Sequence, residues 1–434
     1  MRVAVSSVAA GVGRTDAHRR TWTGRAATAT CGFAVLVSVA LTISASKEGQ
    51  DFSIGVWAPA RALWHGIDPF SGRVAVPGID HDHVAAPLYA PFVYLLHAPL
   101  ILLSNHAGRV VSEGLCLVLL WVAVLLLVRP TTTRGWLVAA AVGTVTARTM
   151  MVEAIVLLGQ YTTWQLFGFA LAVWATRAKR PWLVAAGFAV AVGKPQTAVP
   201  VAIALLLLGQ WRTVARTAAL AGVASLPGLV LMTRAAGGVG HLARSLSDNY
   251  RIFNHLPWNE LASSKNTRAD VLGVVTHLGG PALDGAAWAG LTLVLATVLA
   301  ALVLVPARRR LGERALLDAR VWWVVTGLVV LPLYHQPYDL LFAVVPITLT
   351  AVAWSDLDRR DRGLLGLPPA AFLVVEVAGH LHFQQRLATL LGASEHTISQ
   401  AFLIVPTLVL VVCVLAGGLS HPPQPIENRV KETR

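Results

Sequence analysis

The sequence predicts an all-α, polytopic integral membrane protein, and three observations carry that reading. Of 434 residues, 55% are apolar and only 13% charged. The apolar residues arrive in repeated runs of about 18 to 22, the length that spans the hydrocarbon core. The basic residues fall in short clusters between those runs. A net charge of +13 on a soluble domain would suggest nucleic acid, but no basic stripe accompanies it, and retention of basic loops in the cytoplasm explains it better. A nucleic-acid partner is therefore set aside. Cys31, Cys116 and Cys413 all lie inside apolar segments, which gives neither a disulfide framework nor a zinc spacing. They read as small buried hydrophobes.

Residues 1–27 are polar, with Arg14, Arg19, Arg20 and Arg25, and show no small-residue cleavage site behind a short apolar core. They read as a basic cytoplasmic tail, and Thr28 to Ala45 as a retained first span. Further spans are predicted near residues 110–128, 136–157, 161–176, 182–194, 196–209, 213–232, 286–306, 320–334, 338–354, 364–382 and 398–418. With the first, near 28–46, that makes about twelve in a membrane-embedded domain over residues 28–418. Residues 419–434, with Arg429, Lys431 and Arg434, form a cytoplasmic tail.

Alternation then puts every basic cluster on the cytoplasmic side: Arg129/Arg134, Arg177/Lys179/Arg180, Arg212/Arg216, Arg308/Arg309/Arg310/Arg314 and Arg359/Arg360/Arg362. The count works only if residues 85–104, which carry Pro87, Pro91 and Pro99, form a re-entrant or interfacial element. Crossing fully, that segment would place Arg129 and Arg134 outside.

The polar side chains concentrate in the outer loops. Asp51 follows the first span directly, at a depth where a carboxylate is costly unless something uses it. After it, Phe52, Val56, Leu63 and Ile67 recur near helical spacing beside Trp57 and Trp64, the pattern of a helix in the membrane interface, with Pro59 as a kink or break. The plainer role for Asp51 is to cap that helix.

Lys194 lies at the outer end of two adjacent apolar segments, and Pro195 can open a helix whose N-terminus adds partial positive charge. Lys194 and Arg148 are candidate ligands for an anionic substrate group. The simpler role for Lys194 is snorkelling to the interface. Glu153 reads as a hydroxyl acceptor or a paired cavity carboxylate; it is five residues from Arg148, so no mutual ion pair is assumed. Gln160 and Tyr161 open the next segment, as hydroxyl ligands or simply a helix-connecting turn. His335, Tyr338 and Asp339 cluster at an outer helix junction, where Asp339 either orients a substrate or supplies N-terminal charge to the following helix. The run Asp80-His81-Asp82-His83 resembles a metal site, but without tetrahedral partners it reads as a solvated loop. No cofactor is called for, and a divalent metal is left open.

Several stretches in order resemble glycosyltransferase family 87: Asp51 after the first span, "WHGIDPF", "APLYAPFVYLL" (Ala86 to Leu96), "LLGQYTTWQLFGFALA" (Leu157 to Ala172), "AAGFAVAVGKPQTAVPVAIALLLLGQWRTV" (Ala185 to Val214) and "YHQPYDLLFAVVPI" (Tyr334 to Ile347). The resemblance implies a C-type membrane glycosyltransferase in the plasma (inner) membrane, taking a sugar from a polyprenyl-phosphate carrier. The acceptor is a glycolipid or polysaccharide of the cell envelope, on the periplasmic face among membrane lipids. It assigns Asp51 as general base, and the chemistry agrees, since a carboxylate within reach of an acceptor hydroxyl can take its proton as the glycosyl centre gains oxocarbenium character. In an inverting transfer the phosphate leaves as an anion, so a second catalytic carboxylate is not obligatory.

Mannose transfer leads this reading and arabinofuranose transfer follows it. A flippase or other transporter should show internal repeats with interrupted helices in both halves, and none stands out. A noncatalytic envelope scaffold would be indifferent to Asp51.

Overall fold

The computed structural model describes residues 29, 32, 52–71, 89–257, 259–263, 267–283, 286–378, 381–391 and 395–419. The terminal tails, nearly all of the first span, Asp51 and the Asp80–His83 run lie outside the described residues. Within them the chain is helical, without strands.

In chain order, a π turn over Ser53–Trp57 runs into α1 (Ala58–Trp64), and α2 (Pro91–His97) continues as a 3₁₀ turn over Ala98–Leu102. Next come α3 (Asn105–Val128), α4 (Thr133–Ala147), α5 (Met150–Leu158), α6 (Thr162–Arg177), α7 (Pro181–Ala191) and α8 (Pro195–Leu207). They are followed by α9 (Trp211–Ala235), α10 (Val239–Asn254), α11 (Val271–His277), α12 (Ala286–Leu311) and α13 (Ala319–Val330). A 3₁₀ segment, Pro337–Ala343, leads into α14 (Val344–Ala353), and α15 (Arg359–Ala378), α16 (Leu381–Leu391) and α17 (Glu395–Leu419) complete the bundle.

Among the described residues, four stretches are long and apolar enough to cross a membrane: Asn105–Val128, Trp211–Ala235, Ala286–Leu317 and Pro337–Asp356. Several other predicted spans are shorter or broken, whereas α15 and α17 run 20 and 25 residues. α7 and α8 have 11 and 13 residues, so they reach about 16 and 20 Å against a hydrocarbon core of about 30 Å. Pro181 and Pro195 open them, and they meet at Lys194.

The single span expected over 136–157 is two helices. α4 stops at Ala147, and Thr149, buried in extended backbone, donates its hydroxyl to the Thr146 carbonyl at 2.6 Å. That side-chain bond offers the backbone an alternative to helix. The proline-rich Pro91–Leu102 segment extends about 20 Å, as short as α8.

Pro59 does not break the first-loop helix. It sits in the first turn of α1, where its missing N–H leaves nothing unsatisfied, and the wider π turn before it relieves the clash a proline ring makes with the preceding turn. The helix also differs from a surface element: Phe52, Val56, Trp57, Ala58, Ala60, Ala62 and Leu63 are all buried, and Trp64 projects outward.

Two cores result. The larger joins α3 through α8 with α13 and α14 around Phe169, Phe188, Trp322 and Phe342. α6 and α7 cross so closely that a Cβ on Gly168 would lie 2.4 Å from the Gly187 carbonyl oxygen. The smaller core is an aromatic cap of Phe52, Trp57, Phe70, Tyr89, Tyr94 and Tyr161, packed with Met232 of α9 and Leu242 of α10.

The bundle has distinct ends. Arg177 donates to the Leu126 and Leu127 carbonyls at the C-terminus of α3, Arg216 stacks over Trp182 at 5.3 Å, and the Arg308 guanidinium lies against Gly209. These contacts tie four of the basic clusters to one end. Lys194, Gly159 and the aromatic cap lie at the other ends of α6, α7 and α8.

Candidate functional site

Lys194 precedes α8 in extended backbone, which turns its side chain away from the helix it introduces. Instead of snorkelling it is buried, with Nζ 2.8 Å from Asp339 Oδ1 and 2.9 Å from Thr162 Oγ1. The Thr162 hydroxyl donates to the same Asp339 oxygen at 2.8 Å. His335 Nδ1 lies 2.9 Å from Asp339 Oδ2, and the Gln336 N–H donates to that oxygen at 3.4 Å. The Tyr338 ring sits 4.7 Å from Lys194 Nζ, a cation–π distance.

Of the roles weighed for it, Asp339 takes the helix-end one, and it gains a partner the sequence did not announce. It closes the first turn of the 3₁₀ segment in a capping box with Gln336, and it is the counter-charge of Lys194. Every lone-pair direction of this carboxylate is addressed, which is what makes a buried ion pair tolerable. Lys194 has three ammonium protons and uses two on Asp339 and Thr162. The opposite ring nitrogen of His335, Nε2, is buried without a hydrogen-bond partner among the described residues. The cluster therefore keeps an ammonium proton and an imidazole nitrogen uncommitted.

A loop braces it. Arg268 grips Asp270 with two bonds, 2.7 and 3.1 Å, the Ala269 N–H donates to the His335 carbonyl at 2.8 Å, and Thr267 donates to Gln336 at 2.8 Å. Tyr334 and Gln336 are joined in turn to Asn259. The sequence reading missed this brace, although Asp270 before an apolar run is a helix-start signature, and Asp270 does cap α11.

Gln160 and Tyr161 form the wall beside the cluster. Tyr89 donates to Gln160 Oε1 at 3.2 Å, and Tyr161 donates to the Val190 carbonyl at 3.1 Å, steadying the turn that delivers Lys194. Gly159 ends α5 at φ +71°, where a side chain would be strained, and a Cβ there would fall 2.4 Å from Phe52 Cβ. So the chain that leaves Asp51 begins, at Phe52, packed on the Gly159–Gln160 corner. Arg148 does not join: it is exposed at the break between α4 and α5. Glu153 lies on α5, and its side chain falls outside what the structure describes.

A second ionic pair lies on α3 and was also missed. Arg109 Nε and Glu113 Oε1 are 3.5 Å apart, one helical turn from each other, and both side chains are buried. Neither Glu113 oxygen has a hydrogen-bond partner among the described residues. Leaving a buried charged acceptor without donors costs at least about 1–3 kcal/mol. The signal for the pair was an ionisable residue inside the apolar run 110–128 with an opposite charge four residues before it. Glu376 on α15 is likewise buried with both oxygens unpartnered among the described residues, without a basic neighbour in ion-pair range there.

Fold and site together define a helical membrane protein with a buried ionic centre at one end of its bundle. The model of glycosyltransferase family 87 matches residues 88–332, more than half of the chain, and the chain belongs to that family. It is a membrane glycosyltransferase. The match takes in Glu113, Gln160 and Lys194 and stops just before His335. No curated protein matches the chain.

Proposed function

We propose that this enzyme moves mannose from a polyprenyl-phosphate carrier to a glycolipid or glycan acceptor of the cell envelope, across about twelve spans in a C-type arrangement, with Asp51 as general base. The observation that carries the reading is the placement of the Lys194–Asp339–His335 cluster at the end of the bundle opposite the basic loops, against the corner where Phe52 packs. Basic loops mark the cytoplasmic side, so this end faces the periplasm.

In this reading the remaining Lys194 proton holds the carrier phosphate as it departs. Oriented donors in a site shielded from water stabilise such an anion strongly. Asp51 takes the proton of the acceptor hydroxyl from the opposite side of the sugar, and no metal is required by these steps.

The test is Asp51→Asn, which keeps the size of the side chain and much of any helix cap while removing the base. Single-turnover transfer from polyprenyl-phosphate mannose should fall about 100-fold or more, with folding and donor binding preserved. Near-normal transfer by the folded variant would end the case for Asp51. Transfer by the wild type from polyprenyl-phosphate arabinofuranose and not from the mannosyl carrier would replace the donor sugar.

A further inference from the structure

We propose that Glu113, held by Arg109, is a sugar-hydroxyl subsite of this enzyme, contacting the ring of the donor sugar between the Lys194 cluster and the Ser53–Trp57 turn. The inference rests on the glycosyl-transfer reading above and goes on to assign a residue that reading does not use.

The argument begins with what Glu113 lacks. Its charge is already balanced, because Arg109 lies 3.5 Å away, so a cation is not what the site needs. What is absent is hydrogen-bond donors: both carboxylate oxygens are without one among the described residues, although the residue is wholly buried. Buried polar groups are almost always satisfied, and an exception points to something that arrives later. A neutral polyol supplies donors without adding charge. The indole Nε1 of Trp57, also buried without a partner there, adds an unused donor to the same region.

Placement narrows the ligand further. The buried face of α3 carries Gly108, Arg109, Ser112, Glu113 and Cys116 in succession. At the outer end of that face a Cβ on Gly108 would lie 3.3 Å from Trp57, and Asn105 accepts from Ser53 at 2.9 Å, so this part of α3 abuts the segment that follows Asp51. At the other end, Cys116 Sγ lies 3.7 Å from the Gln160 carbonyl oxygen, two residues from Thr162 of the Lys194 cluster. Glu113 stands between them, about 4.5 Å along the helix from Cys116 and about 7.5 Å from Gly108. A sugar whose phosphate sits at Lys194 and whose ring extends toward the Ser53–Trp57 turn occupies that interval.

The experiment compares wild type with Glu113→Gln and Glu113→Asp, the second keeping the charge but withdrawing it by one methylene, in case the first does not fold. Thermal stabilisation and binding are measured with three probes: polyprenyl phosphate, polyprenyl-phosphate mannose and polyprenyl-phosphate arabinofuranose. In the wild type the sugar-bearing carrier gives a larger shift than the bare carrier. In the Glu113 variants that excess disappears, through roughly 10-fold to 100-fold weaker binding of the sugar-bearing carrier, while the bare carrier binds as before. A purely structural pair would instead lower the melting temperature of the unliganded variants and weaken all three probes together, which overturns the proposal. So does an undiminished excess in folded variants. A wild-type excess for the arabinofuranosyl carrier alone removes mannose from the reading above and leaves Glu113 tested on that donor. No excess for either sugar removes the subsite altogether.

Discussion

Two of the buried ion pairs of this enzyme are built on opposite plans. Lys194 and Asp339 are 145 residues apart and are enclosed by Thr162, His335, Gln336 and the Tyr338 ring. Arg109 and Glu113 are one turn apart on a single helix, and the carboxylate takes no hydrogen bond among the described residues. The first pair binds together the segment before α14, the start of α6 and the junction of α7 and α8, so it does structural work whether or not substrate is present. The second pairs two residues of a single helix, and its carboxylate oxygens take no hydrogen bond from another element among the described residues. Burial and opposite charge alone therefore do not say what an ion pair is for; the hydrogen bonds around it do.

That contrast can be broken first at Lys194. Lys194→Met leaves Asp339 buried without its counter-charge and should cost about 3–5 kcal/mol of stability, whereas Lys194→Met with Asp339→Leu should recover most of it. Denaturant titration in lipid nanodiscs reads both, and a single variant as stable as the wild type would show that the cluster is not the tie described. A smaller loss is expected for Thr162→Val, which keeps the shape and removes one hydrogen bond to each member of the pair, about 1.5–3 kcal/mol by the same titration. Smallest is Glu113→Gln without ligand, within about 0.5 kcal/mol of wild type or slightly more stable, since no hydrogen bond is lost and a buried charge is removed. A large destabilisation there would make the two pairs alike.

Much of this was legible in the sequence, and the limits have physical causes. Lys194, His335, Tyr338 and Asp339 each stood out as polar residues at the ends of apolar runs, and the family resemblance held over residues 88–332. Their mutual pairing was hidden, because hydropathy reports depth in a membrane and not which helix ends adjoin. Arg109 and Glu113 were passed over because the run from 110 onward is apolar enough to read as a span despite one acid. The break at Arg148–Thr149 escaped for a related reason: one threonine whose hydroxyl bonds the preceding turn changes average hydropathy little, yet it marks the end of a helix. Arg148, nominated as an anion ligand, lies exposed at that break and apart from the Lys194 cluster. Pro59 misled in the other direction, since a π turn is invisible to a pattern of apolar spacing.

Gly159 has a consequence for how this enzyme tolerates change. It acts as a spacer gauge: with a Cβ at that position only 2.4 Å from Phe52, the smallest added side chain has nowhere to go but against the stretch of chain that follows Asp51. A substitution there would delete no reactive group and leave every hydrogen bond of the Lys194 cluster in place. It would act as a misalignment, moving one half of the machine relative to the other by a fraction of a bond length or more, and reactions that depend on near-contact geometry are sensitive on that scale.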